Sequence, residues 1–303
     1  MKHDTAGDPE SGLKWTRKTT EKIAHQLDSV GIKVGSNTVG KLLKQLGFSL
    51  RVNHKKISTC SGPERDEQFL YLSSIRDKFI ADGLPVISVD TKKKELVGNF
   101  HNKGVTWEQN PVNVNDHDFR SLAKGLAAPY GIYDIRCNQG FVCVGNSYDT
   151  PEFAVSSIEK WWCELGQYHY PEKKKLLILA DAGGSNGCRP RAWKYNLQKI
   201  MCDHYGIEIT VCHFPAGASK WNPIEHRLFS EISKNWAGRP LVDFGTIEKY
   251  INTTSTVSGL TVKARLVTRQ FEKGIKITDE QMEMLCIEKH SILPKWNYTI
   301  LPS

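Results

Sequence analysis

Three acidic residues stand where chemistry on a charged substrate would need them. Asp90 closes the apolar run LPVISVD, Asp181 closes KLLILAD, and Glu225 falls in WNPIEH, two residues after a proline suited to the first turn of a helix. In an open α/β sheet a strand end borders a crevice, so a carboxylate there leaves the dry interior but stays beside it. Three such groups in one crevice repel one another unless a multivalent cation neutralises them. Hard oxygen ligands suit Mg²⁺ or Mn²⁺, and two such ions can activate a water or a 3′-hydroxyl while stabilising the leaving oxygen of a phosphodiester. Each residue also has a plainer reading. A lone Asp after a strand forms turns, and Glu225 at N3, with Asn222 as N-cap and Pro223 at N1, fits a capping box.

A different chemistry competes for the same region. In LADAGGSNG, residues Gly183, Ser185 and Gly187 match the G-x-S-x-G elbow that presents a nucleophilic serine. That elbow needs the strand to run straight into the motif, and here Asp181 and Ala182 intervene. No H-G-G-G segment precedes it, and His204, His213, His226 and His290 single out no partner. The glycines also lack the Lys-Ser/Thr of a phosphate-binding loop. They are better assigned to the turn that sets Asp181 in place, which leaves a serine hydrolase using Ser185 as the remote alternative. His226 beside Glu225 could touch substrate or metal, or simply lie on a helix surface. Trp193, Trp221 and Trp236 could stack on flipped bases, although core packing suits most of them.

The elements that must position these residues follow from periodicity. TTEKIAHQLDSVG carries Ile23, Leu27 and Val30 at helical spacing behind a Thr19 or Thr20 cap. After Gly31–Gly35, SNTVGKLLKQLG carries Val39, Leu42, Leu43 and Leu46, with Ser36 as the expected cap and Gly47 as the stop. The pair fits a helix-turn-helix with Lys41 and Lys44 on the polar face of its second helix, or an ordinary helical hairpin with solvated lysines. Arg51, Lys55 and Lys56 in FSLRVNHKKI extend the positive charge as a wing or a phosphate-tracking linker. Residues 63–83 predict another amphipathic helix through Phe69, Leu72, Ile75 and Phe79.

Beyond Gly83, short apolar runs at 84–90, 95–100, 130–135 and 141–146 predict strands, interrupted by a long Asn-, Asp- and Gly-rich connection from His101 to Pro129. Helix 151–166, strand 175–181, helix 189–205, strand 207–213 and helix 223–236 then alternate, which predicts a mixed α/β sheet covered by helices. The tail shows helical stretches near 246–252 and 278–288. The expected organisation is residues 1–60 as a DNA-binding region, 61–83 as a connecting helix, 84–236 as a catalytic domain and 237–303 as a C-terminal extension.

Composition sets the outer bounds. The 303 residues are 39% hydrophobic and 24% charged, with no bilayer-length apolar run and no secretory signal at the N-terminus. Eight cysteines stand singly without a C-x-x-C pair, as reduced thiols do in a cytosolic protein. The net charge of +8 is concentrated at the start, where residues 1–60 hold 11 Lys/Arg against 5 Asp/Glu. A basic patch attracts polyanions, of which the phosphate backbone is the commonest; attraction to acidic membranes or simple solubility would also account for the charge. Nearer the carboxylates, Lys92, Lys93, Lys94, Arg189, Arg191, Lys220 and Arg227 could hold phosphates or lie solvated on the surface.

The segments ISVDTKKKELVGNF, PYGIYD, LLILADAGGSNG and CHFPAGASKWNPIEHRLFS together resemble insertion-sequence transposases of the ISAzo-thirteen type, a group similar to the wider DDE transposases and to mariner-like enzymes with their own N-P-I-E segment. The likeness runs from about Gly12 to Ile300. It implies a ribonuclease-H-like catalytic fold, with Asp90, Asp181 and Glu225 in the places of the metal-binding triad and two Mg²⁺ or Mn²⁺ ions as cofactor. It further implies double-stranded DNA as partner, both terminal inverted repeats and target, and a bacterial cytoplasmic protein at the nucleoid. Synapsis of two ends calls for at least two active sites, hence a homo-oligomer on DNA. The chain opens near the second half of that family's DNA-binding region, so an upstream helical portion is expected to be missing. A metal-dependent nuclease without strand transfer and an inert DNA-binding regulator are the alternatives.

Overall fold

The computed structural model describes residues 5–7, 14–16, 18–50 and 63–303. Arg51, Lys55 and Lys56 lie outside them. The chain divides into two compact units, Met1–Ile57 and Ser58–Ser303.

In the first unit β1 (Thr5–Gly7) pairs antiparallel with β2 (Lys14–Thr16). Two helices follow, α1 (Thr20–Asp28) and α2 (Ser36–Gln45), and they pack together. The Thr19 hydroxyl accepts from the Lys22 N–H at 3.3 Å and satisfies one of the free donors at the start of α1. Ser36 is the first helical residue rather than the cap; Gly35 holds that position without a side-chain bond. The apolar stripe is also narrower than its spacing predicts. Ile23 and Val39 are buried and Leu27 and Leu43 half-buried, whereas Leu42 and Leu46, the adjacent ridge of α2, are exposed. Two short helices offer too little surface to cover both ridges.

The second unit opens with α3 (Pro63–Ala81) and then builds a nine-stranded mixed sheet. Its strands are β3 (Val86–Thr91), β4 (Glu95–Val97), β5 (Gly125–Asp134), β6 (Gln139–Gly145), β7 (Lys175–Asp181), β8 (Glu208–Phe214), β9 (Thr261–Val267), β10 (Ile287–Lys289) and β11 (Asn297–Ile300). The order is β10-β11-β8-β7-β3-β5-β6-β9, with β4 paired to β5. The pairs β3–β7, β7–β8 and β6–β9 are parallel, and the remainder are antiparallel. Residues 237–303, set apart by their sequence as an extension, supply three of these strands. The helix expected over 278–288 is short, and β10 takes the end of that span.

Helices cover both faces. On one side α4 (Pro151–Trp161), continued by a wide turn Trp162–Gly166 into α5 (Gln167–His169), packs with α6 (Arg191–Asn196), the wide segment Leu197–Cys202 and α7 (Asp203–Tyr205). They bury Phe153, Trp161, Trp193 and Leu197 against Ile87, Val89, Ile132 and Ile178. On the other side α3 lays Leu72 and Phe79 over Val86, Leu177 and Leu179. Beside it a helix beginning at Pro223, wide-turned over Glu225–Phe229 and regular as α8 (Ser230–Asn235), joins α9 (Phe244–Asn252) over Val97, Ala127, Val142 and Val144. The last helix, α10 (Asp279–Glu283), begins with a capping box from Thr278. The long connection after β4 is tied to the far end of the Glu225 helix, where the Asn102 amide donates to the carbonyls of Trp236 (3.0 Å) and Arg239 (3.1 Å).

Candidate active site

Strand register brings Asp90 and Asp181 to one level. The parallel ladder pairs Val86 with Leu177 through to Val89 with Ala180, so the next rung is Asp90 with Asp181. Neighbouring strands lie about 4.8 Å apart, and side chains alternate between faces. The inward set Ile87, Val89, Ile178 and Ala180 belongs to the α4 side, so both aspartates point to the side that carries the Glu225 helix. On the opposite flank of β3, Asp90 is paired with Gly131 of β5. A β-carbon at Gly131 would come 2.5 Å from Phe229 and 2.9 Å from Ile224. The bare backbone therefore lets the helix seat directly beside Asp90. A wide turn of the kind common at functional sites starts at Glu225 itself.

A buried hydrogen-bond chain fixes these three elements to one another. The Asn222 amide donates to Asp181 Oδ1 at 3.0 Å, and its carbonyl oxygen accepts from the Ser88 hydroxyl. The Ser88 oxygen in turn accepts from the Ile224 N–H at 3.2 Å. Ser88 thus serves the first turn of the helix, while the Asn222 side chain, expected to cap it, reaches across to β7. Ser88 and Asn222 are not recognisable as site residues from local pattern. Asp149 escapes it too, although it carries the same signal, an acid just past an apolar strand. It accepts from the Thr91 hydroxyl at 3.2 Å and lies 3.8 Å from the Lys94 ammonium.

Asp90, Asp181 and Asp149 line a crevice of about 530 Å³ together with Lys92, Lys93 and Lys94, the Ala182–Gly184 turn and Pro215–Gly217, while Glu225 is not part of its lining. Burial pushes the Asp90 carboxyl up to about 8, with the charge of Asp181 next and those of Glu225 and Asp149 adding, against one favourable bond from the Thr91 N–H at 2.7 Å. Asp181 is raised by burial and held back by the Asn222 amide. Glu225 is raised by burial and by Asp181, with His226 and Lys92 opposing. The groups are close enough to disfavour each other's charge. They are not packed into one tight knot, however: among the described residues only Asp134, Cys137 and His169 bring three ligand atoms within 4.8 Å of one another. Mutually repelling oxygen donors with few hydrogen bonds fit hard divalent cations, whose charge would offset that repulsion.

The basic residues divide into two groups. Lys93 and Lys94 are exposed on the crevice wall, and Lys220 and Arg227 are exposed on and before the Glu225 helix. Lys92 departs from the expectation that it contacts DNA. It is 7% exposed, its ammonium lies 2.7 Å from Glu95 Oε1 and it stands over the Trp236 ring, so it is committed to the fold. Arg191 pairs with Asp279 at 2.6 Å. Lys41 and Lys44 are exposed on α2 of the first unit. Ser185 offers no nucleophile: its hydroxyl is buried and makes no hydrogen bond, so no base holds it. His213 has its own employment, donating from Nδ1 to the Asp181 carbonyl at 3.0 Å and accepting at Nε2 from the Tyr298 hydroxyl at 3.1 Å. Trp193 and Trp236 are core residues, whereas Trp221 is 47% exposed.

Residues 1–302 match the family described as the Rhodopirellula transposase DDE domain. The chain belongs to that family. Among solved structures, this DDE domain is similar to the Mos1 transposase paired-end complex with left transposon end, at TM-score 0.47 and 14% identity over 77% of this chain and 65% of that one. It is similar also to the Mos1 mariner paired-end complex with Mn, at TM-score 0.45 and 12% identity over 77% and 65%. A third is the Mos1 strand transfer complex, at TM-score 0.45 and 14% identity over 77% and 64%. The match therefore spans less than two thirds of the Mos1 chain. No curated protein matches. Among the described residues of this DDE domain, no helix is long and apolar enough to cross a membrane.

Proposed function

We propose that the chain is a transposase with a ribonuclease-H-like catalytic domain that cuts DNA at the ends of a mobile element and joins the freed 3′-hydroxyl to target DNA. Asp90, Asp181 and Glu225 are its metal-binding triad. The reading is carried by the shared rung of Asp90 and Asp181, on the side of the sheet where Gly131 admits the Glu225 helix. Bound Mg²⁺ or Mn²⁺, two ions in our reading, would supply Lewis-acid stabilisation of the oxygens at phosphorus. The chain's own residues do the rest. Asn222 holds the Asp181 carboxylate in one orientation, so that it need not be ordered when substrate arrives. Lys93 and Lys94 put positive charge on the crevice wall, where a phosphate backbone entering beside four acids needs it. Cleavage and joining are both in-line displacements at phosphorus, so one site serves both. The helices α1 and α2, with Lys41 and Lys44, bind the terminal repeats as a helix-turn-helix, and the active form is a homo-oligomer that holds two ends.

The test is incubation with the DNA flanking its own coding sequence, with Mn²⁺ or with EDTA, followed by mapping of the cuts. Asp90→Asn, Asp181→Asn and Glu225→Gln are expected to lower cleavage at least about 1,000-fold, roughly 4 kcal/mol of barrier, with DNA affinity changed little. Metal-dependent nicking kept by all three variants would refute the assignment. Cutting without any joined product when a target plasmid is supplied would reduce the protein to a nuclease.

A further inference from the structure

The 3₁₀ turn Ser219–Trp221 leads from the crevice wall into the Glu225 helix, and it carries an aromatic ring to the surface. Trp221 is 47% exposed, although its neighbours Asn222 and Ile224 are fully buried. Its ring is surrounded by the chemistry of a base-stacking site. Phe69 of α3 lies 5.6 Å away at a tilt of 55°, the Arg65 guanidinium stands 5.2 Å from the ring centre, and the Lys220 ammonium stands 4.0 Å from it. Arg65 also approaches Phe69, at 5.4 Å, and donates to the Ala216 carbonyl at 3.1 Å. Ala216 lines the crevice that holds Asp90 and Asp181. The segment that lines the crevice at Pro215–Gly217 thus continues within a few residues to Lys220 and Trp221, and Arg65 ties the cluster to that lining through the Ala216 carbonyl. Core packing does not account for Trp221, because a ring needed only for packing would be covered as Trp193 and Trp236 are.

We infer that Trp221 stacks an unpaired base of the DNA strand next to the reacting phosphate, with Lys220 and Arg65 holding the flanking phosphates. This rests on the transposase reading of the crevice and deepens it by naming what the rim recognises. Interior duplex bases are covered on both faces by their neighbours, so an indole at the rim gains most where pairing is lost, at a frayed end, a nick or an overhang. Such stacking is sequence-tolerant because every base presents a π face, and each cation adds a salt-sensitive contact. Lys220 is a flexible chain that can exchange the ring face for a phosphate without disturbing the fold.

The experiment uses the full chain carrying Asp90→Asn, so that nothing is cut, and two probes: a blunt duplex and the same duplex with a short overhang containing 2-aminopurine at the junction. Anisotropy reads binding, and 2-aminopurine emission reads stacking. The expected result is strong quenching on the overhang, lost in Trp221→Ala with an affinity drop of about 5-fold or more, while blunt-duplex affinity is unchanged. Trp221→Phe should keep most of the overhang affinity, and Lys220→Ala and Arg65→Ala should each flatten the salt dependence by about one contact. Unchanged quenching in Trp221→Ala, an equal loss on blunt and overhang probes, or a Trp221→Phe variant as defective as Trp221→Ala would each overturn the inference. A parallel Mn²⁺ cleavage assay on the parent chain separates the two levels. Cutting without stacking sinks only the base site, and stacking without cutting sinks the transposase reading.

Discussion

Asp90 and Asp134 lie at opposite ends of the β3–β5 ladder, and the fold treats them in opposite ways. Asp134 is fully buried, and its Oδ1 accepts from the backbone N–H groups of Arg136 and Cys137, each at 3.0 Å, and from the Tyr170 hydroxyl at 2.9 Å. It closes the turn into β6 as a satisfied structural group, and its hydrogen bonds leave little for a metal even with Cys137 and His169 nearby. Asp90 receives a single backbone bond, from its own neighbour, and faces three other acids. The first carboxylate is fed by the protein, whereas the second is left for something outside it. This is the difference between an acid whose charge the fold satisfies and one whose charge the fold opposes, as the proposed metal site requires.

The comparison is sharpest in stability. Asp134→Ala strands the buried Tyr170 hydroxyl and leaves the Arg136 and Cys137 N–H groups to water, and should cost about 2 to 3 kcal/mol, whereas Asp90→Asn removes a repelled charge and should leave metal-free stability unchanged or raised. Urea unfolding in EDTA measures both. Equal losses from the two variants would erase the distinction.

His213 extends the contrast to pH, because it is a buried titratable group on the α4 side of the sheet, bonded to the Asp181 backbone carbonyl and the Tyr298 hydroxyl, that is fully satisfied when neutral. Burial lowers it from 6.5 to about 4, with Lys194 lowering it further and the Asp181 carbonyl opposing. A base depressed in the fold takes its proton more readily when unfolded. Its contribution is thus whole above pH 6.5 and lost as pH falls from 6.5 to about 4, on the order of 3 kcal/mol by the end of that window. Acid unfolding of His213→Gln should be less steep than that of the parent by this amount. Identical pH slopes would show that the ring is not the titrating group.

These contrasts also separate what the chain announces from what only folding reveals. The apolar runs ending at Asp90 and Asp181 are visible by eye, and N-P-I-E places Glu225 at a helix start. That 90 and 181 share a rung is a property of strand register, which no local window contains. Lys92 follows a strand-end acid and reads as a surface cation, yet Glu95 and Trp236 draw it inward. β9 shows no continuous apolar run, because Lys263 and Arg265 alternate with the buried Val262 and Ala264 on its opposite face, and both find Glu164 (2.8 and 2.9 Å) once the sheet forms. β11 has only four residues, too few for any period to show.

Asn222 tests how far positioning matters beside ligation. Capping rules assign it locally to its own helix, but Ser88 lies 134 residues earlier and has taken that task, freeing Asn222 for Asp181. Asn222→Ala leaves the Ser88 hydroxyl unpaired on one side and Asp181 free to turn. Cleavage should fall roughly 30-fold, about 2 kcal/mol, with a larger requirement for Mn²⁺ and unaltered DNA affinity. Asn222→Gln keeps the amide but displaces it, and should recover little. Normal cleavage at low Mn²⁺ in the alanine variant would mean that the strand ends alone orient the acids.

The smallest expected effect lies in the first unit, where the DNA binding proposed above would rest on many weak contacts rather than on one unsatisfied site. Lys41 and Lys44 are exposed on α2, and among the described residues neither side chain has a hydrogen-bond or ion-pair partner. Each phosphate contact removed lowers the slope of log affinity against log salt by about 0.9. Lys41→Ala and Lys44→Ala should therefore each weaken binding of element-end DNA a few-fold at moderate salt and flatten that slope by about one. The amount of cleavage per bound complex should stay constant, because the carboxylates belong to the other unit. Slopes that match the parent's would move end recognition off α2, and cleavage that fell further than binding would show that the two units do not act separately.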